Sequence, residues 1–275
     1  MKIVSWNIAH RHEPWLWLLG MDADIALLQE AGEPPAAVTG HIETDGAPWL
    51  TDGADVYRPR RWRTAVVKLS ERVAVEWIEA KAIVAAGPGE LALSRPGTLA
   101  AATVTAPGSE PLVIVSMYAP WESPHAATGS GWIISDASAH RVVSDLSAFI
   151  GSERNHRILA AGDLNILHGH GEGGNAYWAG RYGTVFTRLD ALGLQFVGPQ
   201  APHGRQADPW PDELPPDSRN VPTFHSSYQT PATATRQLDY VFASASMADV
   251  VHVRALNEVE QWGPSDHCRL EIDLP

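Results

Sequence analysis

Cysteine is nearly missing from these 275 residues. Cys268 is the only one, so no intrachain disulfide can form and nothing points to an oxidising compartment. No apolar run approaches the roughly 18 residues that a membrane-spanning helix needs, so membrane insertion is not expected. The opening stretch, Met1-Lys2-Ile3-Val4-Ser5-Trp6-Asn7, lacks the apolar segment of a secretory signal and alternates as a strand does. A cytoplasmic protein is expected. Positive charge is scarce: 20 Lys and Arg face 32 Asp and Glu, a formal net charge of −12. Tight nonspecific binding of duplex DNA requires a basic surface to displace counterions, so that role is disfavoured. Contact with nucleic acid through a local patch or a metal ion, or with a small phosphorylated molecule, stays open.

What is present is enough for a substantial core, since 44% of residues are hydrophobic and only 19% charged. There is no internal repeat and no clear linker, so residues 1–275 are expected to form a single catalytic domain. The oligomeric state is not written in the sequence, and a monomer is the default. Lys2–Ile8 and Ile25–Gln29 read as strands, with a short helical stretch at Trp15–Leu19 between them. Residues 31–62 are rich in Gly, Pro and Asp and read as mostly loop. Arg63–Leu69 and Val73–Ile78 read as a strand pair, and so do Thr98–Thr105 and Leu112–Tyr118. Ser135–Ile150 has apolar residues at helical spacing. His156–Gly162 is a short buried strand, and Thr184–Leu192 is a helix stopped by Gly193. The prolines of 198–222 predict a long loop. Arg236–Ala243 and Cys268–Leu274 are the last strands. Numerous strands, several joined as hairpins, predict mixed sheets.

Polar residues of one kind recur at the ends of the apolar strands. Asn7 follows Ile3-Val4-Ser5-Trp6, Glu30 follows Ile25–Gln29, Tyr118 follows Leu112–Met117, and Asp163 and Asn165 follow Ile158–Gly162. Strands lying side by side would bring these ends to one rim. A rim of Glu, Asp and Asn offers hard oxygen ligands suited to Mg2+ or Mn2+, and the scarcity of nearby thiolate or imidazole argues against zinc. Each residue alone is accounted for as a turn or cap. The joint pattern is what carries the reading.

That pattern resembles the endonuclease/exonuclease/phosphatase superfamily. The matching pieces are residues 1–7 (MKIVSWN), 27–30 (LLQE), 116–120 (SMYAP), 161–165 (AGDLN), 222–224 (PTF), 237–242 (QLDYVF) and 265–267 (SDH), which span essentially the whole chain. The resemblance implies a four-layer α/β sandwich of two packed mixed β-sheets flanked by helices. It implies an Mg2+- or Mn2+-dependent phosphoesterase that hydrolyses by in-line attack of water, without a covalent enzyme intermediate. His267 would contact the scissile phosphate and Asp239 would orient it. Glu30 would be the principal metal ligand, with Asn7 and Asp266 completing or supporting the shell. Asp163 would position or deprotonate the attacking water, Asn165 would hold that water or a phosphate oxygen, and the Tyr118 hydroxyl would touch the phosphate. Whether one or two ions bind is left open.

The chain also departs from the abasic-site endonuclease and exonuclease III branch. No Lys follows Glu30 in Gln29-Glu30-Ala31-Gly32, and Thr223-Phe224-His225-Ser226 replaces a Trp-rich segment. A dedicated abasic-site role is therefore not expected. For the substrate, Arg58 and Arg61 belong to the one dense basic cluster, Tyr57–Arg63, where arginines alternate with aromatics. A solvated loop is the plainer reading of it. Trp178 and Arg181 lie in the Gly-rich stretch 168–182, which follows Asn165 closely and is expected to overhang the site as a flexible loop. Trp121 and Trp262 are either pocket walls or packing aromatics.

Three functional readings follow. The first is a nuclease or nucleotide phosphodiesterase, supported by the Arg/Trp cluster. The second is a phosphomonoesterase or phosphodiesterase for a small-molecule or lipid head-group phosphate, supported by the acidic charge and the missing Lys. The third is a silent binding scaffold, which the full set of catalytic residue types argues against.

Overall fold

The computed structural model describes residues 1–50, 60–81, 83–122, 135–151 and 153–275; Arg58 lies outside them. Two six-stranded sheets stack face to face. The strands are β1 (Lys2–Asn7), β2 (Ile25–Ala31), β3 (Glu43–Thr44), β4 (Arg63–Lys68), β5 (Ala74–Ile78), β6 (Leu99–Thr105), β7 (Leu112–Tyr118), β8 (Ile158–Asp163), β9 (Leu194–Gly198), β10 (Asp239–Ser244), β11 (His252–Leu256) and β12 (Arg269–Asp273). One sheet runs β11-β12-β1-β2-β4-β3 and the other β5-β6-β7-β8-β10-β9. Each is mixed, and each has one parallel pair near its centre: β1 with β2, and β7 with β8.

The central strands read as near-continuous apolar runs because both of their faces are covered. Side chains alternate between the two faces. In β2, Ile25 and Leu27 enter the core between the sheets while Ala26 and Leu28 enter an outer one. In β10, Val241 and Ala243 face the other sheet while Tyr240 and Phe242 face outward. The outer core of the first sheet is closed by α1 (Glu13–Leu18) and α2 (Ala36–Thr39), through Trp15, Leu18 and Val38. The outer core of the second is closed by α3 (Ser135–Ile150) and α4 (Ala176–Ala191). Their buried stripes, Ala139-Val142-Val143-Leu146-Ile150 and Tyr182-Val185-Leu189, follow the helical period. The result is the predicted order of helix, sheet, sheet, helix. No described helix is long and apolar enough to cross a membrane.

Three local expectations need correction. Strands β4 and β5 exist but do not pair. Both edges of β4 are taken, by β2 and β3, so the chain crosses after Lys68 and β5 joins the opposite sheet beside β6. Residues 168–182 are not a flexible loop throughout. A short 3-10 turn at Glu172–Gly174 leads into α4, which begins at Ala176 because the Asn175 side chain caps it, accepting from the Tyr177 amide at 2.9 Å. Residues 31–62 also hold the short α2 and β3. Strands β9 and β11 were not expected. They are five-residue edge strands, too short and, in β11, too interrupted by polar residues to stand out as apolar runs.

Candidate active site

Backbone register assembles the site before any side chain is considered. Strand β7 runs parallel to β8 and pairs Tyr118 with Asp163. Strand β10 runs antiparallel to β8, so its first residue, Asp239, pairs with the last residue of β8, Asp163. In the other sheet β1 pairs Asn7 with Gln29, and Glu30 follows one residue later. Strand β12 is antiparallel to β1, so the segment entering it, Ser265-Asp266-His267, returns to the same rim. Ligands of α/β proteins collect outside the carboxyl ends of parallel strands, and here both parallel pairs end at one place.

Two backbone features hold this approach. Gly162 has φ +151, and a Cβ there would lie 1.9 Å from the Met117 carbonyl oxygen, so only glycine allows β7 and β8 to close just below Asp163. Glu30 has φ +48, at an irregularity in the β2–β4 pairing, a left-handed conformation that a non-glycine residue holds at a cost of ~1 kcal/mol or more. Beneath the rim, the buried Gln29 amide spans the sheets. Its Nε2 donates to Ser116 Oγ at 3.0 Å, and Ser116 Oγ donates to the Leu28 carbonyl at 2.8 Å.

Two hydrogen-bonded groups meet in the site. In the first, His267 Nδ1 lies 2.8 Å from Asp239 Oδ2 and its Nε2 lies 3.8 Å from Asp163 Oδ2. Phe224 packs on the His267 ring at 4.9 Å, and the Asp239 amide donates to Thr223 Oγ1 at 3.1 Å. Burial opposes charge on the imidazole, but Asp239 and Asp163 outweigh it and lift His267 to about 10. Asp163 is fastened from two sides. Its Oδ1 accepts from the Asn165 amide at 2.8 Å, and its Oδ2 accepts from Asn165 Nδ2 and Asn7 Nδ2, each at 3.0 Å. Burial, with the negative charges of Asp239 and Glu30, raises Asp163 above the ordinary carboxylate range, against the opposing charge of His267.

The second group surrounds Glu30. Its Oε1 accepts from Tyr118 Oη at 2.6 Å and from Asn7 Nδ2 at 3.3 Å, while its Oε2 lies 2.6 Å from His10 Nε2. Burial pushes Glu30 upward, but the donors His10 and Tyr118 and the charges of His10 and His267 prevail and hold it at about 2. Asp266 Oδ1 accepts from Ser265 Oγ at 3.3 Å, and that hydroxyl is also 2.7 Å from the Asn7 carbonyl.

A cleft of about 480 Å3 opens over both groups. It is lined by Glu30, Tyr118, Asp163, Asn165, Asp266 and His267, and walled by Arg60, Trp62, Arg95, Trp121 and Phe224. The sequence-predicted residues therefore gather in and directly beneath one cleft. Asp239 and Asn7 support it from below without lining it. Among the described residues, Asp163, Asp239 and His267 form a group whose candidate ligand atoms all lie within 4.8 Å of one another.

The predicted substrate-side residues stand apart. Arg61 is exposed and does not line the cleft, although its neighbours Arg60 and Trp62 do. Trp178 and Arg181 do not line it either. They belong to α4, where Trp178 stacks on Tyr182 at 5.9 Å and Arg181 pairs at 2.7 Å with the buried Asp136 of α3. Trp262 is fully buried, a packing aromatic, while Trp121 is 48% exposed at the cleft wall. Residues that sequence reasoning passed over are His10, Arg95 and Thr223. Arg95 precedes β6 and is almost wholly buried, with Nη1 3.7 Å from Glu122. His10 and Arg95 sit in loops without any strand-end signal. Thr223 lies in a quoted motif, but its capping role depends on where Asp239 falls in register.

No protein-family model matches the chain, and a comparison with curated proteins returns no match. Solved structures do match. The catalytic domain of Xenopus laevis APE2 superposes with a TM-score of 0.61 at 17% identity, covering 99% of this chain and 91% of that one. The 3'-5' exonuclease NExo of Neisseria meningitidis gives 0.55 at 19% identity, covering 100% and 99%. A Bacteroides thetaiotaomicron mannosyl-6-phosphatase gives 0.54 at 13% identity, covering 100% and 99%. The four-layer sandwich built here is thus the fold that these three structures share.

Proposed function

We propose that the chain is a divalent-metal-dependent phosphoesterase that cleaves a phosphodiester by in-line attack of water, acting as a nuclease or nucleotide phosphodiesterase. One observation carries the reading. A buried imidazole held on Asp239 lies in one cleft with a second carboxylate, Asp163, and with Glu30. Two carboxylates of one site driven in opposite directions are the arrangement that separates a base from a charge-holding ligand.

His267 carries the positive charge that stabilises negative charge gathering on the phosphoryl oxygens, and Asp239 keeps the ring oriented. Asp163, with its raised proton affinity and both oxygens held by Asn165 and Asn7, takes a proton from the attacking water. Tyr118 Oη donates its one proton to Glu30 Oε1 and would have to turn it from that carboxylate to reach a phosphoryl oxygen. The donor set fits a hard divalent cation: Glu30, Asp163, Asp239 and Asp266 crowd more carboxylates into one cleft region than His10 and His267 neutralise. Glu30 and Asp266 would hold Mg2+ or Mn2+, with Asn7 supporting the shell from below, and such an ion would supply Lewis-acid stabilisation of the developing charge. Arg60 and Arg95 supply cationic contacts to substrate phosphate, and Trp62 and Trp121 offer faces for a base or ring.

The mannosyl-6-phosphatase neighbour and the net charge of −12 favour a second reading, a phosphatase for a small phosphorylated molecule. A phosphoester panel separates the two. Wild type and His267→Ala are compared on bis-p-nitrophenyl phosphate, p-nitrophenyl phosphate, single-stranded and duplex oligonucleotides, with Mg2+, Mn2+ or EDTA. The expected result is diester and oligonucleotide cleavage that needs metal and falls about 10²–10³-fold in the variant. Preference for monoesters selects the phosphatase, and an inert wild type on every substrate removes the enzymatic reading.

A further inference from the structure

The mechanism above leaves His10 without a chemical role, yet its placement is specific. His10 Nε2 lies 2.6 Å from Glu30 Oε2, while Glu30 Oε1 is occupied by Tyr118 and Asn7. Oε2 meets His10 Nε2 instead, and a divalent ion could take the place of the proton that this pair shares. The backbone is bent to bring it there. Ala9 and His10 hold φ of +48 and +57, the left-handed region that non-glycine residues occupy only when their surroundings impose it. The bend is pinned by the Ala9 amide donating to Asn7 Oδ1 at 3.0 Å and the His10 amide donating to the Glu30 carbonyl at 3.0 Å. The ring is braced edge-on by Trp62 at 4.8 Å, a wall of the cleft.

We propose that His10 is a nitrogen ligand of the divalent ion held at Glu30, and that it tunes the site toward Mn2+ in preference to Mg2+. The proposal rests on the metal-dependent reading above. Neighbouring ligand atoms of an octahedral ion with bonds of about 2.1 Å at right angles are about 3 Å apart. The Nε2–Oε2 pair needs to open only slightly to become such an edge. An all-oxygen shell suits Mg2+, whereas an imidazole adds affinity for transition-metal ions ahead of Mg2+.

The test is pulsed electron paramagnetic resonance of the protein loaded with one equivalent of Mn2+, reading the 14N modulation of a directly bound imidazole. It is paired with Mn2+ and Mg2+ titrations by calorimetry. Wild type should show the modulation. His10→Ala and His10→Gln should lose it and bind Mn2+ about 10–100-fold more weakly, with a smaller loss for Mg2+. His267→Ala should keep it. Modulation that survives in both His10 variants, or is lost only in His267→Ala, overturns the proposal. Wild type that binds Mn2+ through Glu30, shown by loss of binding in Glu30→Ala, but gives no 14N modulation also overturns it while leaving the metal-dependent reading intact. No Mn2+ binding by wild type sinks both.

Discussion

Glu30, next to last in β2, and Asp163, last in β8, stand at the end of the second strand of their respective parallel pairs and lie in the same cleft, Glu30 partly and Asp163 fully buried, yet they are driven in opposite directions. The difference is in their neighbours. Glu30 meets two donors at 2.6 Å, His10 and Tyr118, and is held at about 2. Asp163 lies between two other carboxylates, Asp239 and Glu30, and its raised proton affinity follows from burial and their charge. On the proposed reading, one sheet supplies an ionised ligand and the other a base, from neighbouring strand-end positions. The sequence cannot show this split, because it depends on which side chains the register sets beside each carboxylate.

The largest effect expected from breaking this comparison comes at Asp163. Asp163→Asn keeps the shape and one acceptor oxygen, but it removes the proton acceptor and leaves one of the two oxygen positions that accept from Asn165 and Asn7 as a donor. We expect kcat to fall about 10²–10⁴-fold with metal affinity within about threefold of wild type, since on this reading the ion sits at Glu30. Steady-state kinetics beside a Mn2+ titration checks both halves. A variant that loses metal binding as severely as turnover would make Asp163 a ligand and collapse the division of labour.

A smaller effect is expected at Tyr118, whose hydroxyl belongs to Glu30 through its hydrogen bond and to Asp163 only through strand register. Tyr118→Phe removes a donor that lowers the Glu30 pKa, so that value should rise from about 2 toward the ordinary range. Metal affinity should weaken about tenfold, as for other supporting contacts of a ligand. If the same change leaves metal affinity untouched and lowers kcat alone, Tyr118 acts on the substrate and not through Glu30.

Much of this was legible before the fold was known, for a physical reason. Strands covered on both faces read as apolar runs, and a polar residue closing such a run marks a rim position. That is why Asn7, Glu30, Tyr118 and Asp163 stand out in the sequence. Asp239 and His267 begin or precede strands, and they were found through motif resemblance. His10 and Arg95 lie in loops at no strand end, and they reach the site only through a left-handed bend and a buried crossing that no periodicity signals. The Arg181 and Trp178 expectation followed nearness in sequence to Asn165, but α4 carries both onto the outer face of the second sheet, where Arg181 satisfies Asp136.

Asp24 provides the smallest effect and the sharpest control. It stands at the other end of the first sheet, just before β2, and accepts from the Lys2 amide at 2.8 Å, Ser70 Oγ at 2.7 Å and Arg72 Nε at 2.6 Å. Burial raises its pKa, but these donors and the Arg72 charge outweigh it, so its pKa is lowered, as Glu30's is. Unlike Glu30, it faces no cleft of catalytic groups. Its stabilisation is fully present above the unfolded-state pKa of about 3.9 and is lost as pH falls through the lower folded-state value. Asp24→Asn should therefore cost about 1–2 kcal/mol of stability at neutral pH, with kcat unchanged, and the gap from wild type should close below about pH 3.9. Denaturant unfolding across pH 2.5–7 reads this out. Glu30→Gln should do the reverse, losing turnover and metal while keeping most of its stability. If both variants lost stability alike and neither lost turnover selectively, a depressed carboxylate in this fold would mark structure and not function.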